Sequence, residues 1–180
     1  MREGLHVFAI WSNFYIITGS SAAALTGLMF VVISLTTGSR LLRKSGEANA
    51  GFATFSTPTV VHFCAAFFIS GILSAPWWGL LPADILIGLT GLAGIVYIVR
   101  AIYAAQSLIN YKLDLEDWCW FAIFPLVAYG AIVATAILLP IHAPLALFVL
   151  AGATLLLIFM GIRNAWDIVT YLAADQIENS

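Results

Sequence analysis

Charged side chains are scarce in this chain, which has 7 Lys and Arg and 9 Asp and Glu, or 9% of its residues. Soluble domains carry about 25% charged residues, so this composition excludes an ordinary water-soluble globular protein. Cysteine is also sparse, with 2 residues, and histidine has 3. Their spacing does not resemble a structural zinc site, and we expect Cys64 and Cys119 to be free thiols. The sequence predicts no metal and no other cofactor.

Long apolar runs take up most of the chain, which is 62% hydrophobic with a mean hydropathy of +1.02. A membrane-spanning helix needs about 20 mainly apolar residues. Segments of that length lie at residues 14–37, 54–75, 85–105, 118–139 and 145–162. We therefore predict an all-α polytopic transmembrane bundle of about five spans, with residues 1–180 forming a single domain. Residues 5–12 either lie at the membrane interface or lengthen the first span.

The junctions between these segments are short, and two of them are bounded by proline, as in Pro76–Pro82 and Pro140–Pro144. Proline cannot continue a helix without loss of a hydrogen bond, so antiparallel hairpins are predicted at both places. The N-terminal stretch lacks a short apolar core followed by a cleavage-like site. We expect the first helix to be retained.

The cations predict the orientation, because Lys and Arg concentrate on the cytoplasmic side of membrane proteins. Three regions on one predicted side carry them: Arg40, Arg43, Lys44, Arg100, Lys112 and Arg163. The opposite side has only Arg2. The prediction is an external N-terminus and a cytoplasmic C-terminus, in a multi-pass protein of a bacterial inner (plasma) membrane.

One ionisable side chain, His62, lies well inside a predicted span, about 12 Å from the start of that span at Thr54. Titratable groups at such depth are rare and often belong to ion or proton pathways. Thr59, Ala66 and Ser70 share its helix face and form a small polar stripe with it. Two interpretations stay open: a neutral histidine bonded to a neighbouring helix, or a pH-sensing or pathway residue.

The first span has the clearest pattern in the chain. Asn13, Ser20, Gly27 and Ser34 recur every seven residues, and Ala24 is at an intermediate position of the same seam. A seven-residue repeat keeps one helix face against a partner, and small residues allow close backbone approach in lipid. This seam either packs within one subunit or lines the axis of a pore built from several copies.

Two further groups of residues predict helix contacts. Gly88, Gly91 and Gly94 give the third span a small surface, for which structural packing is predicted. Charged and polar residues collect at the predicted cytoplasmic face, and we interpret them as a latch between helices or a partner-docking surface. They are Arg100, Asp117, Arg163, Asn164 and Asp167.

Two runs carry a resemblance: residues 19–31 (GSSAAALTGLMFV) and residues 161–171 (GIRNAWDIVTY). They resemble a group of small, largely uncharacterised bacterial polytopic membrane proteins, some labelled modulators of a membrane protease. Ser20, Ser21, Leu25 and Gly27, with residues 61–63, show a fainter likeness to Orai-type calcium channels. That likeness implies no calcium selectivity, because the acidic residue expected in the first helix is missing.

Three classes of function remain, ranked in this order. An oligomeric ion or small-solute channel lined by the first helix accounts for its seam. A non-catalytic accessory or regulatory protein, docking a membrane-protein partner through its cytoplasmic face, accounts for the lack of a visible substrate site. An enzyme is least favoured, and no catalytic residues are predicted, because paired polar groups at depth are missing. The expected partners are lipid and further copies of the chain, without nucleic acid.

Overall fold

The computed structural model describes residues 2–41, 46–108 and 118–178 of the chain, and the side chains of residues 8–34, 57–104 and 118–170. Its helices are α1 (Arg2–Leu41), α2 (Gly46–Ser74), α3 (Leu80–Leu108), α4 (Phe124–Leu138) and α5 (Ala143–Glu178). A π-helical turn, Cys119–Ile123, leads directly into α4. No strand occurs in these three ranges, which confirms the predicted all-α class.

The described helices include 5 that are long and apolar enough to cross a membrane. The candidate spans are Phe8–Ser34, Thr57–Ser74, Leu80–Ala104, Cys119–Leu138 and Ala143–Thr170. The chain is therefore a multi-pass integral membrane protein in contact with lipid. The orientation of its termini stays a prediction.

At one boundary the structure agrees with one of the two alternatives left open, and at another it differs from the sequence-based expectation. Residues 5–12 belong to α1, so they lengthen the first helix. The fifth span was predicted to end at Ile162, but α5 continues to Glu178. No proline or glycine follows Gly161 in α5, so nothing in the local sequence breaks the helix where it leaves the most apolar region.

Short hairpins connect α2 to α3 and α4 to α5, as predicted. At the end of α2 the indole Nε1 of Trp77 donates a 2.6 Å hydrogen bond to the carbonyl of Ile72, which also accepts a longer bond of 3.3 Å from the amide of Ala75. At the end of α4 the amide of His142 donates to the carbonyl of Leu138 at 2.7 Å. These bonds close both turns next to prolines, which cannot donate.

α2 and α5 form the centre of the bundle. In the most apolar stretch of each helix, 50% of the residues of α2 and 56% of those of α5 are buried, against 22% in α1 and in α3. α1 packs on α2 and α5, whereas α3 packs mainly on α4 and less extensively on α2. Large apolar side chains such as Ile69, Leu150 and Leu157 are fully buried between the helices.

Glycines allow the closest helix contacts. The ring of Tyr129 on α4 lies where a Cβ on Gly94 of α3 would stand, and the ring of Phe63 on α2 does the same at Gly161 of α5. At Gly91 an added Cβ would lie 2.7 Å from Cγ2 of Val133. The predicted packing surface of the third helix is therefore confirmed, with α4 as its partner.

Candidate functional site

The polar stripe of α2 lies inside the bundle. Thr59 and Ala66 are 0% exposed, His62 is 1% exposed and Ser70 is 2% exposed. Polar groups in a membrane interior are costly unless they find partners, so their orientation toward other helices is expected on physical grounds. His62 and Ser70 each form a hydrogen bond to a neighbouring helix.

His62 forms a hydrogen bond with a tyrosine on the neighbouring helix. Its Nδ1 lies 3.1 Å from the hydroxyl oxygen of Tyr129 on α4, and the two rings are tilted by 43°. Tyr129 is itself 0% exposed, and its ring fills the notch at Gly94. One bond thus connects α2 to α4 at a point where α3 holds the tyrosine in place. This geometry suits a structural link between helices, and the pH-sensing role of His62 stays a prediction.

Ser70 forms the second polar contact of the stripe. Its Oγ lies 3.1 Å from Oγ1 of Thr18 on α1 and also donates to the carbonyl of Ala66 at 2.8 Å. The helices approach closely here, because an added Cβ on Gly19 would lie 2.8 Å from Cβ of Ser70. The bond therefore joins α1 to α2 through a small-residue contact, as is common in membrane bundles.

The seam of α1 points away from the bundle. All of its residues are exposed: Asn13, Ser20, Ala24, Gly27 and Ser34. In the part of the chain that the structure describes, nothing lies within 4 Å of a Cβ built on Gly27. α1 packs on α2 and α5, and its buried residues, such as Tyr15 and Ala22, lie on a different side from the seam. The role of the seam stays a prediction.

The residues of the predicted cytoplasmic face are only partly brought together. Arg163 lies over the ring of Trp120, with Cζ 4.0 Å from the ring centroid, a cation–π contact between α5 and the π-helical turn. Asn164 is half-buried, while Arg100 and Asp167 are exposed. Asp117 lies outside the described residues.

Sequence reasoning missed three partners: Tyr129, Thr18 and Trp120. A tyrosine in the middle of an apolar span is unusual, since these rings prefer the membrane interface, and this was the available signal for Tyr129. Trp120 could not be identified as a partner of Arg163 from the sequence, because their contact depends on how two distant segments pack. Thr18 carried no distinguishing signal.

No known protein family, curated protein or solved structure matches this chain. Within the described ranges no group of three or more His, Cys, Asp or Glu is placed to hold a metal ion. Function therefore has to be argued from the arrangement of the side chains alone.

Removal of the tyrosine hydroxyl tests the buried hydrogen bond. We expect Tyr129→Phe to lower the free energy of unfolding by about 0.5–2 kcal/mol, because it leaves a buried ring nitrogen without this partner. In a His62→Leu background Tyr129→Phe should lower the free energy of unfolding by less. Thermal unfolding of the original protein, the two single variants and the double variant in one detergent would measure this difference. Tyr103→Phe is the matched control, since Tyr103 is 70% exposed. Equal costs of Tyr129→Phe in both backgrounds would contradict the assigned bond.

Proposed function

We propose that this integral membrane protein assembles into a homo-oligomeric channel for ions or small solutes, with the exposed seam of α1 lining the path. The observation that carries the proposal is the outward orientation of this seam. Asn13, Ser20 and Ser34 place polar side chains on the outside of a single subunit, along the candidate span Phe8–Ser34. A second copy could offer such groups hydrogen-bond partners, and a water-filled path could hydrate them, whereas lipid tails can do neither.

The interior of one subunit supports the same conclusion. The centre of the described bundle is occupied by large, fully buried side chains, among them Tyr15, Phe63 and Tyr129. Interiors of this kind are close-packed and leave no continuous passage for a solute. A path is therefore more readily built between copies than through one copy.

Reconstitution tests the proposal directly. The purified protein should be an oligomer in mild detergent by light scattering, and vesicles that contain it should release a trapped ion or small solute faster than empty vesicles. A protein that stays monomeric and gives no flux across a pH series would exclude the channel.

A second candidate function rests on the extension of α5. This helix continues past Ile162, where the sequence predicted the span to end, and there it carries Trp166, which is 69% exposed, beside the exposed Asp167. An exposed aromatic beside polar groups is typical of a docking surface. It favours a non-catalytic accessory protein, in line with the resemblance to proteins labelled protease modulators. A monomer that co-purifies with one membrane protein, and loses it after Trp166→Ala, would support this function.

The orientation is a prediction within either function. From the distribution of the cations along the sequence, we expect Lys44 and Ser180 to face the cytoplasm and Gly79 to face outside. Single-cysteine variants in a background without Cys64 and Cys119 should show Gly79→Cys labelled by an impermeant maleimide in intact cells. Ser180→Cys should be labelled only after lysis. Labelling of Ser180→Cys in intact cells would contradict the topology.

A further inference from the structure

The π-helical turn before α4 has a feature that ordinary membrane helices lack. In this turn the amide of Phe124 donates to the carbonyl of Cys119, five residues back. An α-helix would bring the same amide to the carbonyl of Trp120, four residues back. π-turns inside α-helices are rare and often occur at functional positions.

Pro125 explains why the turn is placed here. Proline has no amide hydrogen and its ring collides with the carbonyl four residues back, which is that of Phe121. The helical bond across this position is therefore missing in a π-turn and in an α-turn alike. A change between the two forms upstream of Pro125 leaves the number of backbone hydrogen bonds made by Phe124 the same, and it does not spread into α4.

The position of the Trp120 side chain depends on whether the turn is in the π form or the α form. Its ring lies 4.7 Å from the ring of Phe124 and 5.9 Å from that of Phe159 on α5, with the guanidinium of Arg163 over its face. Conversion to an α-turn shifts the upstream segment by one residue, which is a rotation of about 100° around the helix axis. The ring of Trp120 cannot stay between Phe159 and Arg163 after such a rotation.

We propose that the turn Cys119–Ile123 is a two-state hinge, which the contact between Trp120 and Arg163 holds in the π form. In the α form Trp120 leaves α5, the Arg163 guanidinium is uncovered, and the chain that enters α4 rotates. The device thus couples the turn Cys119–Ile123 to the middle of α5, independently of whether the protein conducts. Two discrete forms of nearly equal hydrogen bonding are the kind of element that a partner or ligand can bias.

Spin-label distances test the hinge in the full-length protein. Labels are attached at Trp118→Cys and Val169→Cys in a Cys64→Ser, Cys119→Ser background, and the distribution is measured by pulsed electron spin resonance. Rotation by about 100° moves a group at the helix surface by about 8 Å. We expect one main distance in this background, and at least a several-fold larger second population after Arg163→Gln. Pro125→Ala should also enlarge it, because this change removes the ring that collides with the carbonyl of Phe121 in the α form.

Two controls separate the hinge from general loosening. A label at Val127→Cys, which is exposed and follows Pro125, paired with Val169→Cys should keep one distance in every variant. Arg100→Gln removes an exposed cation from α3 and should not change the Trp118–Val169 distances. A single unchanged distance in both Arg163→Gln and Pro125→Ala would overturn the hinge, as would equal broadening of the Val127 and Trp118 pairs.

Discussion

Gly94→Ala is expected to destabilise the bundle by about 1–3 kcal/mol or more, the range for overpacking of a well-packed core. The added methyl group would occupy the position of the Tyr129 ring, so either α3 moves away from α4 or the ring turns. Movement of the ring also disturbs the bond between Tyr129 and His62, which is 3.1 Å long. Thermal unfolding in a fixed detergent measures the effect.

Two other glycines provide matched controls for this substitution. Gly130 on α4 and Gly152 on α5 have no described residue within 4 Å of an added Cβ. Gly130→Ala and Gly152→Ala should leave the stability unchanged or raise it slightly, since alanine is the better helix former. If Gly94→Ala is as stable as these controls, the close contact of α3 with Tyr129 is wrong.

Gly27→Leu is expected to abolish assembly while each subunit stays folded. Gly27 lies on the exposed seam, and among the described residues nothing is within 4 Å of an added Cβ, so a side chain at this position starts in open space in a single copy. In an oligomer joined through this seam the same side chain would force apart backbones that approach closely. Light scattering should therefore show a monomer with the unfolding temperature of the original protein, and vesicle flux should be lost.

The control for Gly27→Leu is the same substitution on another lipid-facing surface. Gly71 on α2 is exposed, and no described residue lies within 4 Å of an added Cβ there either, so Gly71→Leu should leave assembly and flux unchanged. Ser20→Ala removes a hydroxyl from the seam without adding volume, and it should preserve the oligomer while changing ion permeation. Intact assembly in Gly27→Leu would place the interface between copies elsewhere.

These two glycines show why a small-residue pattern is ambiguous in sequence. Gly94 and Gly27 both belong to small-residue surfaces of apolar helices, and both patterns permit close packing. In the structure the first accommodates a buried aromatic ring and the second faces outward. Only the arrangement of the neighbouring helices distinguishes a contact within the subunit from a surface available to another copy.

The same limit applies to His62. Its depth within a predicted span and its helix face followed from counting residues along α2, because helix geometry is local. Its partner Tyr129 is 67 residues away along the chain. No periodicity in either helix specifies which residues of α2 and α4 meet, since this depends on the crossing and register of the helices.

The sequence by itself determined that this is a membrane protein with five helices long enough to span a bilayer. Helix formation and burial in hydrocarbon depend on the length and composition of each segment, so each span is readable separately. The tertiary structure decided which sides of these helices meet, and so which polar groups are satisfied inside the bundle and which remain outside. In lipid that choice is made by shape and by a few hydrogen bonds between distant segments, because apolar side chains gain little from facing one another rather than the membrane.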